Sequence, residues 1–487
     1  MKRCEKWYRI RIFFVLVLAI IFLFSCKTAP VYEEKSLEEN EFVLDNGIKV
    51  FVKNAPNAKV NTLELYFDTG ASSLNNSNLG YLKFLLELLT IENENYSRKQ
   101  LENILQEKMA DISSGTLSDY SFLRMTSLSK YFDEIYDIFS MCVTNPSFES
   151  FEILKSQAQF NFLNTKYIDY NLLMKKSSEV LREQTDYFGK NSFTSETILS
   201  LNLDSIKALY ESLFVNDNLF LIAYGSFNAD KLFTQLNSTL GKIVLVKNSA
   251  RDDKAISIDS GNDTNSAHDK VSAHDSPLTQ DNGQAKKFFF KNEIIEIREN
   301  EENAVEFACS YKKLPELTKE NEKKFAACYI ANLMYSDILY NVIREKNGAC
   351  YSVFSNMHLS RQPVLICTGY RITDRQKFFS GIEESKKIFA QGKILLNENE
   401  TVDATEKLES YKNILINRLY GEIFTSKQYC SMMAISLSLG DDINFMYDFA
   451  QTIENVTDED LKSAIAYICS QNEQWFYLSN KDDVRKS

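Results

Sequence analysis

Between residues 252 and 285 the chain changes character, and that change sets what it can fold into. The stretch carries seven Asp, two Lys and no aromatic residue. It holds too little apolar surface to offset the entropy of ordering its backbone. We read 247–286 as an acidic flexible linker between two segments, 41–246 and 287–481, that do carry apolar residues at strand and helix periods. An imperfect repeat, Asn265 to Lys270 and Val271 to Ser276, lies inside it. A protease is expected to cut here first and leave two folded halves.

The two segments read alike in order. In the first, Phe42 to Leu44, the turn Asp45-Asn46-Gly47 and Ile48 to Val52 give strand, tight turn and strand, with Val60 to Phe67 as the next strand. In the second, Phe288 to Phe290, Ile294 to Ile297 and Ala304 to Tyr311 take the same places. Long helical stretches follow in both. Each segment closes on a helix and a strand, Leu203 to Phe214 with Leu219 to Tyr224, and Asp458 to Cys469 with Gln474 to Leu478. Strands and helix pairs without strict alternation predict an α+β chain. The expected architecture is two homologous α/β sandwich halves, mostly antiparallel sheets with helices on one face, facing across a cleft. The halves look like a divergent duplication.

The N-terminus reads as an export signal over 1–25. Lys2, Arg3, Lys6, Arg9 and Arg11 precede an apolar run from Phe13 to Phe24. The run is shorter than the ~20 residues of a membrane span. Its ending, Leu23-Phe24-Ser25-Cys26, resembles a bacterial lipobox, although Phe24 is bulkier than the usual residue there. Acylation of Cys26 and a tether over 26–40 would anchor the body to a membrane of the cell envelope. An uncleaved N-terminal anchor is the alternative. Either way the chain is expected to be exported and tethered.

Charge and rare residues exclude several functions. A formal net charge of −12 argues against a nucleic-acid binder working through a basic surface. There are three histidines, His268, His274 and His358, so any mechanism needing a histidine in the first 267 residues is excluded within this chain. His268 and His274 read as solvated linker residues rather than a metal site. Nine cysteines show no C-x-x-C spacing. Beyond Cys4 and Cys26 they read mostly as small buried hydrophobes, with a disulfide in the second half left open. There is no G-x-S-x-G elbow and no P-loop. Cys350 with His358 would need an approach in space that the sequence does not establish.

The opening Leu44-Asp45-Asn46-Gly47-Ile48-Lys49-Val50, followed by Leu65 to Ser72 with Thr69-Gly70, resembles the start of the insulinase/pitrilysin-type zinc peptidases, the inverzincins. Its length suits their bacterial two-domain processing-peptidase branch. The order of elements extends the resemblance over nearly all of 41–481. In that family the helix after the Thr-Gly strand carries H-x-x-E-H, whose two His ligate zinc while the Glu activates water. Here Lys83 and Glu87 take the histidine positions and Leu86 takes that of the Glu. The distal ligand position falls near Asn161 to Asn164, on Phe162. An ammonium has no lone pair for zinc and a leucine takes no proton, so the resemblance implies a degenerate zinc motif and no cofactor. Lys83 and Glu87, one helical turn apart, would pair with each other or point at solvent.

The second half keeps more. Ile343 to Val353 is similar to the family's R-E-K-x-G-x-x-Y-S-V segment. There the Arg and Tyr reach across to the zinc-bearing half and hold the substrate backbone or the oxyanion. The resemblance gives Arg344 and Tyr351 that role. The bland alternative is a helix-ending Arg344 and a core aromatic Tyr351.

Together these residues predict a protein inactive on its own. It would be a non-zinc subunit lending Arg344 and Tyr351 to a zinc-bearing homologous peptidase, with peptide or unfolded polypeptide as substrate. The alternative is a non-catalytic peptide-binding or scaffold lipoprotein. Replacing Lys83 or Leu86 by Ala is expected to leave the activity of such a pair nearly unchanged.

Overall fold

The computed structural model describes residues 38–164, 169–215, 218–246, 290–298, 305–397, 400–421, 425–440, 443 and 445–479. Cys26, the signal stretch and the 247–286 linker with His268 and His274 lie outside the described residues. From Glu39 onward the chain belongs to one compact unit.

The first half contains β1 (Glu38–Val43), β2 (Lys49–Asn54), β3 (Val60–Phe67), α1 (Tyr81–Leu89), α2 (Arg98–Lys108), β4 (Asp111–Thr116) and β5 (Ser121–Leu128). It continues with α3 (Phe132–Thr144), α4 (Phe151–Asn164), α5 (Asp169–Thr185), α6 (Ser195–Ser200), α7 (Leu203–Leu213), β6 (Leu219–Gly225) and α8 (Ala229–Ser238). The second half contains β7 (Ile294–Arg298), β8 (Glu306–Lys313), α9 (Glu322–Leu339), a π-helical turn (Tyr340–Lys346), β9 (Cys350–His358) and β10 (Val364–Ile372). It ends with α10 (Arg375–Ala390), β11 (Lys393–Asn397), β12 (Glu400–Asp403), α11 (Leu408–Gly421), α12 (Ser426–Gly440), α13 (Phe445–Glu454), α14 (Asp458–Ser470) and β13 (Glu473–Ser479).

The strand orders are β1-β2-β6-β3-β5-β4 and β7-β13-β8-β10-β9. In each sheet the last strand of the half pairs parallel with an early one, β6 with β2 and β13 with β7. The remaining registered pairs are antiparallel. Position by position the two orders coincide after β1. The expected α+β duplication with mostly antiparallel sheets is therefore present in the backbone. The turn at Asp45-Asn46-Gly47 forms as its residues predict. Gly47 takes φ 97°, open to glycine and costly for other residues, and its amide donates to the Leu44 carbonyl at 2.8 Å.

Period-2 side chains sort the two faces of each sheet. Leu63, Leu65 and Phe67 of β3 point into the core built with the helices of their own half. Tyr66, between them, faces the other way and packs in the cluster of the second half. There α12 lies across β3 and β6. The second half reciprocates. Ala308, Trp475 and Tyr477 join their own helices, whereas Cys309, Tyr311, Phe476 and Leu478 pack against Leu173 and Leu181 of α5. Each half thus lends one helix to cover the outer face of its neighbour's sheet.

Polar ties reinforce this exchange. The Thr62 hydroxyl donates to Ser426 Oγ at 2.7 Å, and Lys427 Nζ donates to Asp111 Oδ2 at 2.8 Å. Arg361 donates through Nη2 to Asp68 Oδ1 at 2.6 Å and through its amide to Asp119 Oδ2 at 2.7 Å. The opposite oxygen of Asp119 accepts from the Tyr187 hydroxyl at 2.5 Å. A chain cut within 252–285 should therefore migrate as one particle on native gel filtration, its two fragments parting only in denaturant. Separate elution of the fragments in plain buffer would show that the exchanged helices do not hold the halves.

Candidate functional site

The positions that the resemblance assigns to the zinc-binding histidines lie on α1. Gly80 starts this helix with φ 82°, and a Cβ there would meet the Phe193 ring at 2.8 Å, so glycine alone fits without rearrangement. Of the nine residues of α1, seven are buried. Lys83 and Glu87, spaced i and i+4, are the two that face water. Their charged ends stand 3.8 Å apart with side chains 59% and 47% exposed. Both readings of the sequence thus hold together: the residues pair, and they do so in solvent. Such a pair contributes about 0–0.5 kcal/mol. Leu86 is fully buried in the core of the first half.

The remaining positions fit zinc no better. Phe162 of α4 is half-buried, and Lys175 from α5 sets its ammonium 3.6 Å from the centre of that ring. Burial pulls the Lys175 pKa below its ordinary value. An aromatic ring and a cation therefore stand where the resemblance implies a carboxylate ligand. Among the described residues no three His, Cys, Asp or Glu side chains gather as a metal-binding group. A hydroxide-activating zinc site needs three protein ligands, and Glu87 is the one oxygen donor left.

A cavity of about 230 Å³ opens beside Lys83 and Glu87. Its far wall is Ser114, Gly115 and Thr116 of β4, with Asn191 and Ser192 closing one side. Strand β4 ends the sheet order, so its outer backbone edge has no neighbouring strand within its sheet. Thr116 and Asn191 line this cavity, and their buried Oγ1 and Oδ1 have no hydrogen-bond partner among the described residues. Polar groups left so are uncommon in folded proteins and invite a polar occupant.

Arg344 and Tyr351 come together in the second half. Arg344 lies in the π-helical turn that follows α9, a helix form that occurs often at functional sites. Gly348, at φ 59°, then turns the chain into β9. The Arg344 guanidinium carbon sits 5.7 Å from the Tyr351 ring centre and 4.9 Å from that of Tyr340. Its Nη1 donates to the Tyr340 hydroxyl, and Glu345 lies 3.7 Å from Nε. Tyr351 is 65% exposed, so it is not the core aromatic of the bland alternative. Arg371 adds a second guanidinium, 5.8 Å from the same ring. Among the described residues, neither Arg344 nor Tyr351 makes a hydrogen bond or ion pair with any residue of the first half.

Tyr340, Arg371 and Lys175 were not anticipated. Tyr340 was readable in principle, since four residues before Arg344 it shares a helical face. Arg371 depends on a strand irregularity and Lys175 on a helix crossing, neither of which has a local signal. The Cys350–His358 pairing is excluded, because these residues are the two ends of β9. Eight residues of strand separate them by roughly 26 Å. Cys350 is buried with its thiol pushed up to about 11, and burial lowers the His358 pKa. Cys142, Cys309, Cys328, Cys350, Cys367 and Cys430 are free and buried, and Cys469 is free and exposed, so no disulfide forms among them.

Two family models match the sequence. Insulinase (Peptidase family M16) covers residues 49–185, and Peptidase M16 inactive domain covers residues 200–389. No curated relative matches. Among solved structures, a protease from Helicobacter pylori superposes with a TM-score of 0.71 at 13% identity, covering 91% of this chain and 99% of that one. The peptidase M16 inactive domain from Pseudomonas fluorescens gives 0.67 at 16% identity, with 91% and 98% covered. The periplasmic protease PqqL from Escherichia coli gives 0.65 at 16% identity, with 91% of this chain but 45% of PqqL covered. The two models together span most of the globular sequence, and the chain belongs to the insulinase family of peptidases, M16.

Proposed function

We propose that this protein is a non-zinc subunit of a two-chain peptidase, lending Arg344 and Tyr351 to the active site of a zinc-bearing homologue. One observation carries the reading. The Arg344–Tyr351 pair is assembled with Tyr351 open to solvent, and among the described residues it makes no hydrogen bond or ion pair with its own first half, where the side chains at 83, 86 and 162 offer no metal ligand. A guanidinium offers a planar fork of donors to a peptide carbonyl, and a phenol donates to a developing oxyanion. The coverage of PqqL supports the reading, since this chain matches about half of that longer protease. A partner of the same family would supply the other half.

The test is a cleavage assay on an unfolded polypeptide. The protein alone should be inert, and adding the zinc-bearing homologue that copurifies with it should produce a rate above that of the homologue alone. Cleavage by the lone protein, or no gain on mixing a complex that does form, would sink the proposal.

A second reading rests on the cavity beside β4. A free strand edge and two unpartnered buried polar atoms suit an extended peptide held without cleavage. In that case polypeptide binds, and mixing with the homologue leaves its rate unchanged.

We further propose attachment to the cell envelope through an acylated Cys26. Among the described residues no helix is long and apolar enough to cross a membrane. In this proposal the acyl chains on Cys26 would carry the anchoring. Cys26→Ser should abolish fatty-acid labelling and leave the precursor unprocessed. A processed, unlabelled wild-type chain of mature size would contradict this.

A further inference from the structure

Among the described residues, three outside glycine adopt positive φ: Met109, Asp186 and Arg371. The first two end α2 and α5, where a left-handed residue is the ordinary way to close a helix. Arg371 has no such reason. It stands inside β10 at φ 51°, where the register against β8 slips between Tyr370 and Ile372. Arg371 is thus the extra residue of a β-bulge. Bulges bend a strand and re-aim one side chain, and a bulky residue in the left-handed region costs conformational energy.

What the bulge aims is specific. Against β9, Tyr370 pairs with Ser352 and Ile372 with Cys350, so Arg371 lies directly opposite Tyr351. Its guanidinium reaches the Tyr351 ring that Arg344 also approaches. Arg371 is exposed and has no hydrogen bond and no ion pair among the described residues. Two cations therefore share one exposed ring, and among the described residues the ion pair either of them makes is that of Arg344 with Glu345. The strained residue thus carries a charge that no carboxylate pairs with among the described residues. Strained residues of this kind concentrate where a ligand is held.

We propose that Arg371 is a third substrate contact and that, with Arg344, it makes this site select polypeptides bearing an acidic side chain next to the segment held by Tyr351. The inference rests on the reading of Arg344 and Tyr351 as substrate contacts. A guanidinium presents paired N–H groups to both oxygens of a carboxylate, which gives it preference over the isosteric amide.

The experiment measures binding of two labelled extended peptides, identical but for one central Glu or Gln, to the full-length protein by fluorescence anisotropy at low salt. The Glu peptide should bind roughly fivefold to tenfold tighter. Arg371→Gln should bring the two within roughly twofold of each other. Arg371→Gly should erase the preference equally and melt no lower than wild type, because glycine takes this φ freely. Equal binding of both peptides to the wild type overturns this inference and leaves the Arg344–Tyr351 reading standing. Binding of neither peptide overturns both. A preference that survives Arg371→Gln, or a lower melting point in Arg371→Gly, overturns it too, since the residue would then act through the fold.

Discussion

Arg124→Ala is expected to lower the unfolding free energy by about 3–5 kcal/mol, the usual cost of stranding one member of a buried ion pair. Glu64 is fully buried in β3. Arg124 of β5 donates to its Oε2 through Nε at 2.7 Å, and its Nη2 lies 2.5 Å from the same oxygen. Arg124 also donates to Ser431 Oγ of α12 at 2.8 Å and lies over the Phe122 ring. The pair therefore sits beneath the helix donated by the other half. Burial raises the Glu64 pKa above its ordinary value, and Arg124 opposes that rise without cancelling it. Removing Arg124 lifts it further. A carboxyl with a raised folded pKa contributes most below its unfolded pKa, and that contribution is lost as pH rises through the folded value. The deficit of Arg124→Ala should accordingly grow from pH 5 to pH 8. Replacing both residues, Glu64→Leu with Arg124→Met, should cost far less than the single change, since no charge is left buried. Equilibrium denaturant titrations at several pH values measure all of this. A single variant within about 1 kcal/mol of wild type would show that the pair is not desolvated as the structure has it.

The same pair shows where sequence reading reaches its limit. In Val60 to Phe67, alternation marks Leu63, Leu65 and Phe67 as core, and they are core. The rule that reads them correctly also puts Thr62 and Glu64 in water, yet both are buried. The helix that covers them, α12, begins more than 350 residues later along the chain. No local period carries that information. Strand and helix order, its repetition in the second half and the Gly47 turn were legible because each is read from neighbours within a few residues, whereas the parallel pairing of β6 with β2 and of β13 with β7 joins strands far apart in the chain. The helix exchange was not legible either, because it depends on how two finished halves meet.

At the site the division is similar. Lys83 and Glu87 stood out as a polar pair among leucines, and helical geometry places them on the one wet stripe of α1. Leu86 is legible as a residue unable to take a proton, but its full burial depends on the packing of α1 in the finished core. Leu86→Ala would open a core cavity costing about 2–5 kcal/mol, so it is not the silent control that its lost chemistry suggested. Exposed Lys83→Ala and Glu87→Ala serve instead. Arg344 and Tyr351 were legible from their segment. Their separation from the first half, and the second guanidinium of Arg371, required the fold.

The most direct test of the account is the turnover of the reconstituted pair with substitutions confined to this chain. With wild-type protein the mixture should cleave an unfolded polypeptide faster than the zinc-bearing partner alone. Arg344→Ala and Tyr351→Phe should each lower kcat by roughly 10²–10³, about 2.7–4 kcal/mol, because each removes one donor to the substrate carbonyl or its oxyanion. Complex formation, followed by gel filtration, should be unaffected, since Tyr351 is exposed and Arg344 bonds to the neighbouring Tyr340 rather than to the core. Lys83→Ala and Glu87→Ala should leave the rate within about twofold of wild type. An Arg344→Ala or Tyr351→Phe mixture that turns over like wild type with the complex intact would contradict the account. So would loss of activity on replacing Glu87, which would place the chemistry in the first half of this chain.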